Sequence, residues 1–148
     1  IGYWNLPNET KKTLKHGWLY TGDAGYMDED GYVYVHDRVK DMIVSGGENV
    51  YPAEVESAIF SHEMVSDVAV IGVPDQKWGE AVKALVVLKD NCKASEEDII
   101  NFAKQRIASF KTPKSVEFID ELPRNPSGKI LKKKLRKPYW QGLERAIN

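Results

Sequence analysis

Cysteine is almost missing from this chain: Cys92 stands alone. One thiol cannot close an internal disulfide, and no zinc cage can be built on cysteines. The three histidines, His16, His36 and His62, are scattered without metal-ligand spacing. No apolar run approaches the roughly 20 residues that a helix needs to cross a bilayer, so a transmembrane segment is not expected. An excess of charge is missing too. With 21 basic and 22 acidic residues the formal net charge is −1, which gives no global pull toward nucleic acid. Internal repeats and low-complexity tracts are absent. The first residues, Ile1-Gly2-Tyr3-Trp4-Asn5, have neither an initiator methionine nor the basic-then-apolar layout of a secretory leader. The simplest expectation is a piece of a longer protein.

What is present is the composition of a globular protein, 42% hydrophobic and 29% charged over 148 residues. That length suits one ordinary domain and a remnant of another. Pro7-Asn8-Glu9-Thr10 can open a short helix. Trp18-Leu19-Tyr20, Gly25-Tyr26-Met27 and Tyr32 to His36 read as the short strands of a β-meander, with a tight turn at Asp28 to Gly31. Four charges in five residues, Asp37-Arg38-Val39-Lys40-Asp41, then replace core residues and mark a boundary. Beyond it the expected order is strand (Met42 to Val44), helix (from Pro52), strand (Val68 to Val73), strand (Ala81 to Leu88), helix (after Ser95), strand (Val116 to Ile119) and a basic helix from about Lys129 to Lys137. Val68 to Val73 is apolar throughout and too short for a helix, as in a central strand. Ser95-Glu96-Glu97-Asp98 is close to a capping box, with Asp where Glu or Gln is usual. The fold class is therefore α+β, a small mixed sheet covered by helices and preceded by the β-meander.

Four short segments draw attention to chemistry. Pro123-Arg124-Asn125-Pro126-Ser127-Gly128-Lys129 is a stiff, kinked loop presenting one lysine at its end. Taken alone it is a turn before a basic helix. Tyr20-Thr21-Gly22-Asp23 is, taken alone, an acid after a turn glycine. Asp37 to Asp41 reads equally as a solvated linker. Ser45-Gly46-Gly47-Glu48-Asn49 has no side chains at its centre, so a backbone or a slender ligand can come close. Six cations in nine positions, Lys129 to Lys137, read as a solvated helix face with Ile130, Leu131 and Leu135 turned inward.

Together, in this order and spacing, these segments resemble the C-terminal part of the adenylate-forming superfamily, which includes acyl-CoA synthetases, aryl-CoA ligases, peptide-synthetase adenylation domains and luciferases. The resemblance runs from Gly17-Trp18 to about Arg136. It implies that Asp23 receives the ribose hydroxyls of ATP and that Arg38 reaches the same nucleotide. Lys40 falls on the hinge of a mobile domain. Ser45, Gly46 and Gly47 line the tunnel for the pantetheine arm of coenzyme A, and Lys129 is the lysine of adenylation. Asn49 stands where some relatives carry an arginine for a coenzyme A phosphate. Residues 1–37 would then be the tail of a large N-terminal domain, 38–41 the hinge and 42–148 the lid. The implied activity is that of an AMP-forming acid–CoA ligase, a fatty acid being the favoured acid, with ATP, Mg2+ and coenzyme A as its companions. The isolated piece is expected to be inactive, and the expected compartment is the cytoplasm. No nucleic acid partner is expected, and nothing in the basic helix by itself argues for membrane contact. Two rivals stay open: an adenylation domain that loads a carrier protein, and a non-catalytic module that binds nucleotide or a partner.

Overall fold

A computed structural model describes residues 2–143 and 145 and divides into two units, Ile1–Val39 and Lys40–Asn148. In the first unit, proline at the first helical position opens α1 (Pro7–Thr13). Two hairpins follow in separate sheets. β1 (Leu14–Lys15) pairs with β2 (Trp18–Leu19), and β3 (Asp23–Met27) pairs with β4 (Val33–Arg38). The expected meander is thus split, because Tyr20 to Gly22 belong to neither hairpin and end in a glycine at φ +77° that redirects the chain. The close approach of β3 and β4 depends on Gly25, where an added Cβ would sit 2.2 Å from the Tyr34 carbonyl oxygen. None of the described residues in this unit is buried, and Trp18, Met27, Tyr32, Val33 and Val35 are exposed.

A 3-10 turn (Val39–Asp41) runs across the division in the chain, and Lys40 opens the second unit. β5 (Ile43–Ser45) and β6 (Glu48–Val50) form a hairpin closed by Gly46 and Gly47 alone. Positive φ at both glycines, +62° and +86°, is the requirement of the two-residue turn that matches strand twist. The expected glycine loop is therefore a hairpin turn, and β6 was hidden because its Glu48 and Asn49 are poor strand formers. After α2 (Pro52–Phe60) come the long strands β7 (Val65–Asp75) and β8 (Gly79–Leu88), then α3 (Glu96–Lys104), β9 (Ser115–Phe118) and α4 (Lys132–Arg136). β7 runs past Val73, the expected end of the strand, and through Pro74, so the turn falls at residues 76–78. Proline is tolerated there because β7 is the edge of the β6-β5-β8-β7 sheet. The Asp75 carboxylate caps that turn, accepting from the Lys77 and Trp78 amides at 2.9 and 2.8 Å. β9 pairs in parallel with Lys83 to Val86 of β8, so the sheet is mixed.

Side-chain alternation explains the uninterrupted apolar runs. Val68, Val70, Val82, Ala84 and Val86 face one cluster with Val55 and Ile59 of α2 and Ile99 and Ala103 of α3. Ala69, Ile71 and Leu85 face a second cluster, covered by Leu122, Ile119, Ile130, Leu135 and Tyr139. A sheet covered on both faces needs apolar residues at every position. Burying each of Ile43, Ile59, Ile71 and Ile99, all fully enclosed, contributes about 1.5–3 kcal/mol. The capping box at α3 is complete: the Asp98 amide donates to Ser95 Oγ, and the Ser95 amide donates to the Asp98 carboxylate at 2.8 Å. At the sheet edge the Val70 amide donates to Glu56 Oε1 at 2.7 Å. The basic helix is shorter than expected, starting at Lys132. Residues 129–131 instead complete a β-bridge between Ile130 and Arg124. Among the described residues no helix is long and apolar enough to cross a membrane.

Candidate functional site

Lys129 is exposed, but its backbone is pinned on both sides. Its amide donates to Asn125 Oδ1 at 2.8 Å and its carbonyl accepts from the Asn125 amide at 2.9 Å. Ser127 Oγ lies 2.9 Å from the same Asn125 oxygen, and the Leu131 amide reaches back to the Pro123 carbonyl at 2.8 Å. Arg124 fixes the loop to the sheet, donating to the Gly128 carbonyl at 2.6 Å and to Asp67 of β7 at 2.5 Å. Ile130, next in the chain, packs into the second cluster. The result is an exposed ammonium on a hydrogen-bonded root. Asn125 could have been suspected from its place before Pro-Ser-Gly, since Asn bonds the backbone a few residues on. Arg124 gave no such signal, because Asp67 is 57 residues away.

The Gly46–Gly47 turn lies at the other end of β7. Ser45 pairs with Gly79, which itself pairs with Asp75, and the Gly46 amide donates to the Trp78 carbonyl at 2.8 Å. The Trp78 ring lies over Gly46, where an added Cβ would meet a ring carbon at 2.7 Å. The ring thus covers the turn. From Asp67 to Asp75 is eight residues of continuous strand, which at strand rise is about 26 Å. The lysine loop and the glycine turn therefore sit at opposite ends of one β-hairpin.

In the first unit, Asp23 and Arg38 stand opposite each other in the β3–β4 register, with Arg38 Nε 3.1 Å from Asp23 Oδ1.

At Lys40 the backbone, more than the side chain, is engaged. Its carbonyl accepts from Arg145 at 2.7 Å and from Arg136 at 3.4 Å. Arg136 also pairs with Asp41 at 2.9 Å, and Lys132 with Glu56 at 2.8 Å. Part of the basic run is thus held in shielded ion pairs, which the expected solvated face did not include. Lys40, Lys133, Arg136, Lys137, Trp140 and Arg145 are among the residues around an open cavity of about 570 Å3. The segment after α4 is tied down by Tyr139, whose hydroxyl donates to Glu117 Oε2 at 2.5 Å, with Lys83 Nζ 3.2 Å from the same oxygen. Burial, helped by that carboxylate, pushes the Tyr139 hydroxyl up to about 12. The Tyr139 hydrogen bond in turn, with help from Lys83, holds Glu117 below the usual carboxyl range against its own partial burial.

A family model described as the AMP-binding enzyme C-terminal domain matches residues 54–129. The chain is 50% identical over 148 residues to a fatty acid–[acyl-carrier-protein] ligase, ScoC, of Streptomyces coeruleorubidus, covering 100% of this chain and 28% of that protein. It is 53% identical over 134 residues to a long-chain-fatty-acid–CoA ligase of Bacillus subtilis (strain 168), covering 90% and 24%. Among solved structures, ATP-bound MatB from Rhodopseudomonas palustris matches with a TM-score of 0.85 at 42% identity, over 93% of this chain and 28% of that one. The chain spans about a quarter of the length of these relatives.

Proposed function

The chain belongs to the AMP-binding enzyme C-terminal domain family, and from that premise we propose that it is the moving part of an ATP-dependent, AMP-forming ligase that joins a fatty acid to the thiol of coenzyme A. The observation that carries this reading is the separation of the lysine loop from the glycine turn by about 26 Å along β7. Two groups fixed to opposite ends of one hairpin cannot serve one reacting centre at once. They can serve it in turn if the unit rotates, and Lys40, at the entrance to the unit, is the pivot.

In the first half-reaction a carboxylate oxygen attacks the α-phosphorus of ATP and pyrophosphate leaves. Two anions meet, and charge builds on the phosphoryl oxygens. The Lys129 ammonium offsets the repulsion and stabilises that charge. A flexible stem on a pinned backbone suits a group that must enter and withdraw. Asp23 accepts from the ribose hydroxyls, with Arg38 beside it in the β3–β4 register. Magnesium enters with ATP as part of the substrate. In the second half-reaction the unit turns about Lys40, Lys129 leaves, and the Ser45–Gly47 turn borders the path of the thiol to the acyl carbonyl. The adenylate's carbonyl carbon gains sulfur and loses AMP.

The test is to separate the half-reactions in the full-length enzyme. Lys129→Ala should slow acid-dependent pyrophosphate exchange by at least about 10²-fold while sparing thioester formation from preformed adenylate. Gly47→Leu should do the reverse. Equal slowing of the same half-reaction by both variants refutes the alternation. A second reading, transfer to a carrier protein, is favoured by the 50% identity to an acyl-carrier-protein ligase over the whole chain and by Asn49. Comparing coenzyme A with a phosphopantetheinylated carrier as acceptor decides between them.

A further inference from the structure

The guanidinium of Arg145 makes four hydrogen bonds from a side chain only 10% exposed. Nε and Nη2 grip both oxygens of Glu80 at 2.8 Å each, Nη1 donates to the Lys40 carbonyl at 2.7 Å and Nη2 to the Met42 carbonyl at 2.6 Å. Glu80 is itself 4% exposed and belongs to β8, the strand against which β5 and β7 both pair. Its carboxylate is seated against Gly72, where an added Cβ would meet Glu80 Oε2 at 2.2 Å. Trp140 Nε1 donates to the carbonyl of that same Gly72 at 2.9 Å. A residue 105 positions downstream thus bolts the peptide that follows Lys40 to the rigid sheet.

We propose that Arg145 is a positioning residue that sets where the unit pivots: it makes the Lys40 carbonyl part of the moving body, so that rotation is confined to the torsions of Lys40 and the residues before it. The inference rests on the reading of Lys40 as the pivot. Its physical basis is the forked geometry of guanidinium, which can hold a carboxylate by two nitrogens and still reach two carbonyls. Arg136 supports the arrangement, since it neutralises Asp41 and adds a long contact to the same carbonyl. Without the fork, rotation would spread into Asp41 and Met42. The two poses would lose definition even though no group that touches substrate had changed.

The peptide bond after Lys40 is a trypsin site whose carbonyl is the one Arg145 holds, so cleavage there reports the bolt directly. In the full-length enzyme Arg145→Ala should accelerate cleavage after Lys40 by about tenfold or more, because proteolysis tracks the open population. Cleavage after Lys104, at the end of α3, should not change. Arg145→Lys, which keeps the charge and loses the fork, should fall between. The turnover number should drop with the KM for ATP unchanged. Wild-type cleavage rates from Arg145→Ala overturn the inference; if that variant does not fold, wild-type rates from Arg145→Lys do so. Failure of the underlying reading looks different: cleavage after Lys40 in the wild type would be indifferent to whether the enzyme holds ATP and acid or coenzyme A.

Discussion

Replacing Asn125 by alanine isolates the root of Lys129 from its charge. The substitution deletes one acceptor oxygen, to which the Lys129 amide donates at 2.8 Å and near which Ser127 Oγ lies at 2.9 Å. The site is exposed, so water replaces part of each bond, and the loss is about 1–2 kcal/mol for the two together. The backbone bonds from Asn125 to Lys129 and from Leu131 to Pro123 survive, as does the Arg124 tether. The loop should therefore open more often without dissolving. Amide hydrogen exchange at Lys129 should accelerate by about 5–30-fold, while Leu131 stays near its original rate. Asn125→Asp keeps the acceptor and should restore protection at Lys129. Adenylation by the full-length enzyme should fall by no more than the exchange factor, well short of the loss from Lys129→Ala. Unchanged exchange at Lys129 would refute the reasoning, as would equal acceleration at Leu131.

Other perturbations follow from the same geometry. Gly46→Ala puts a methyl 2.7 Å from the Trp78 ring at φ +62°, and urea unfolding should register a loss of about 1–2 kcal/mol or more. Ser95→Ala removes the cap of α3 and should cost about 1 kcal/mol, most of it regained in Ser95→Asn; no change in the unfolding midpoint would contradict the capping role. Tyr139 is pushed up to about 12, so its neutral form is favoured in the folded chain. Its contribution is complete below the ordinary tyrosine value near 10 and is lost as pH rises toward 12. Tyrosinate absorbance, with Tyr139→Phe subtracted, should show one late-titrating ring. Glu117 is shifted down, so its contribution is present above the usual glutamate range and lost as pH falls through its lowered value. Acid unfolding should begin at higher pH in Tyr139→Phe, which lacks the bond that lowers Glu117.

The elements legible in the sequence were those with a local signature. Proline at the start of α1 and α2, the cap at Ser95 and the apolar run through Val73 each declare themselves within a few residues. β6 did not, because Glu48 and Asn49 carry no strand preference and their pairing is set by the two glycines before them. The end of β7 was misplaced because Pro74 breaks most strands and survives only at an edge, a fact of the sheet and not of the segment. The same division holds at the site. Lys129, Gly46 and Gly47 stand out within short motifs. Arg145 does not, since the glutamate and carbonyls it joins lie 65 to 105 residues earlier.

Under the proposed alternation, the hairpin of β7 and β8 also makes the two ends of this unit thermodynamic opponents. Because one beam carries both the lysine loop and the glycine turn, a ligand that favours the first pose must disfavour the second by the same free energy. An adenylate mimic that holds Lys129 in place should weaken a thiol ligand by some factor, and the thiol ligand must weaken the mimic by that same factor. A compound built to span both sites would gain nothing from being joined, because no single orientation of the beam presents them together.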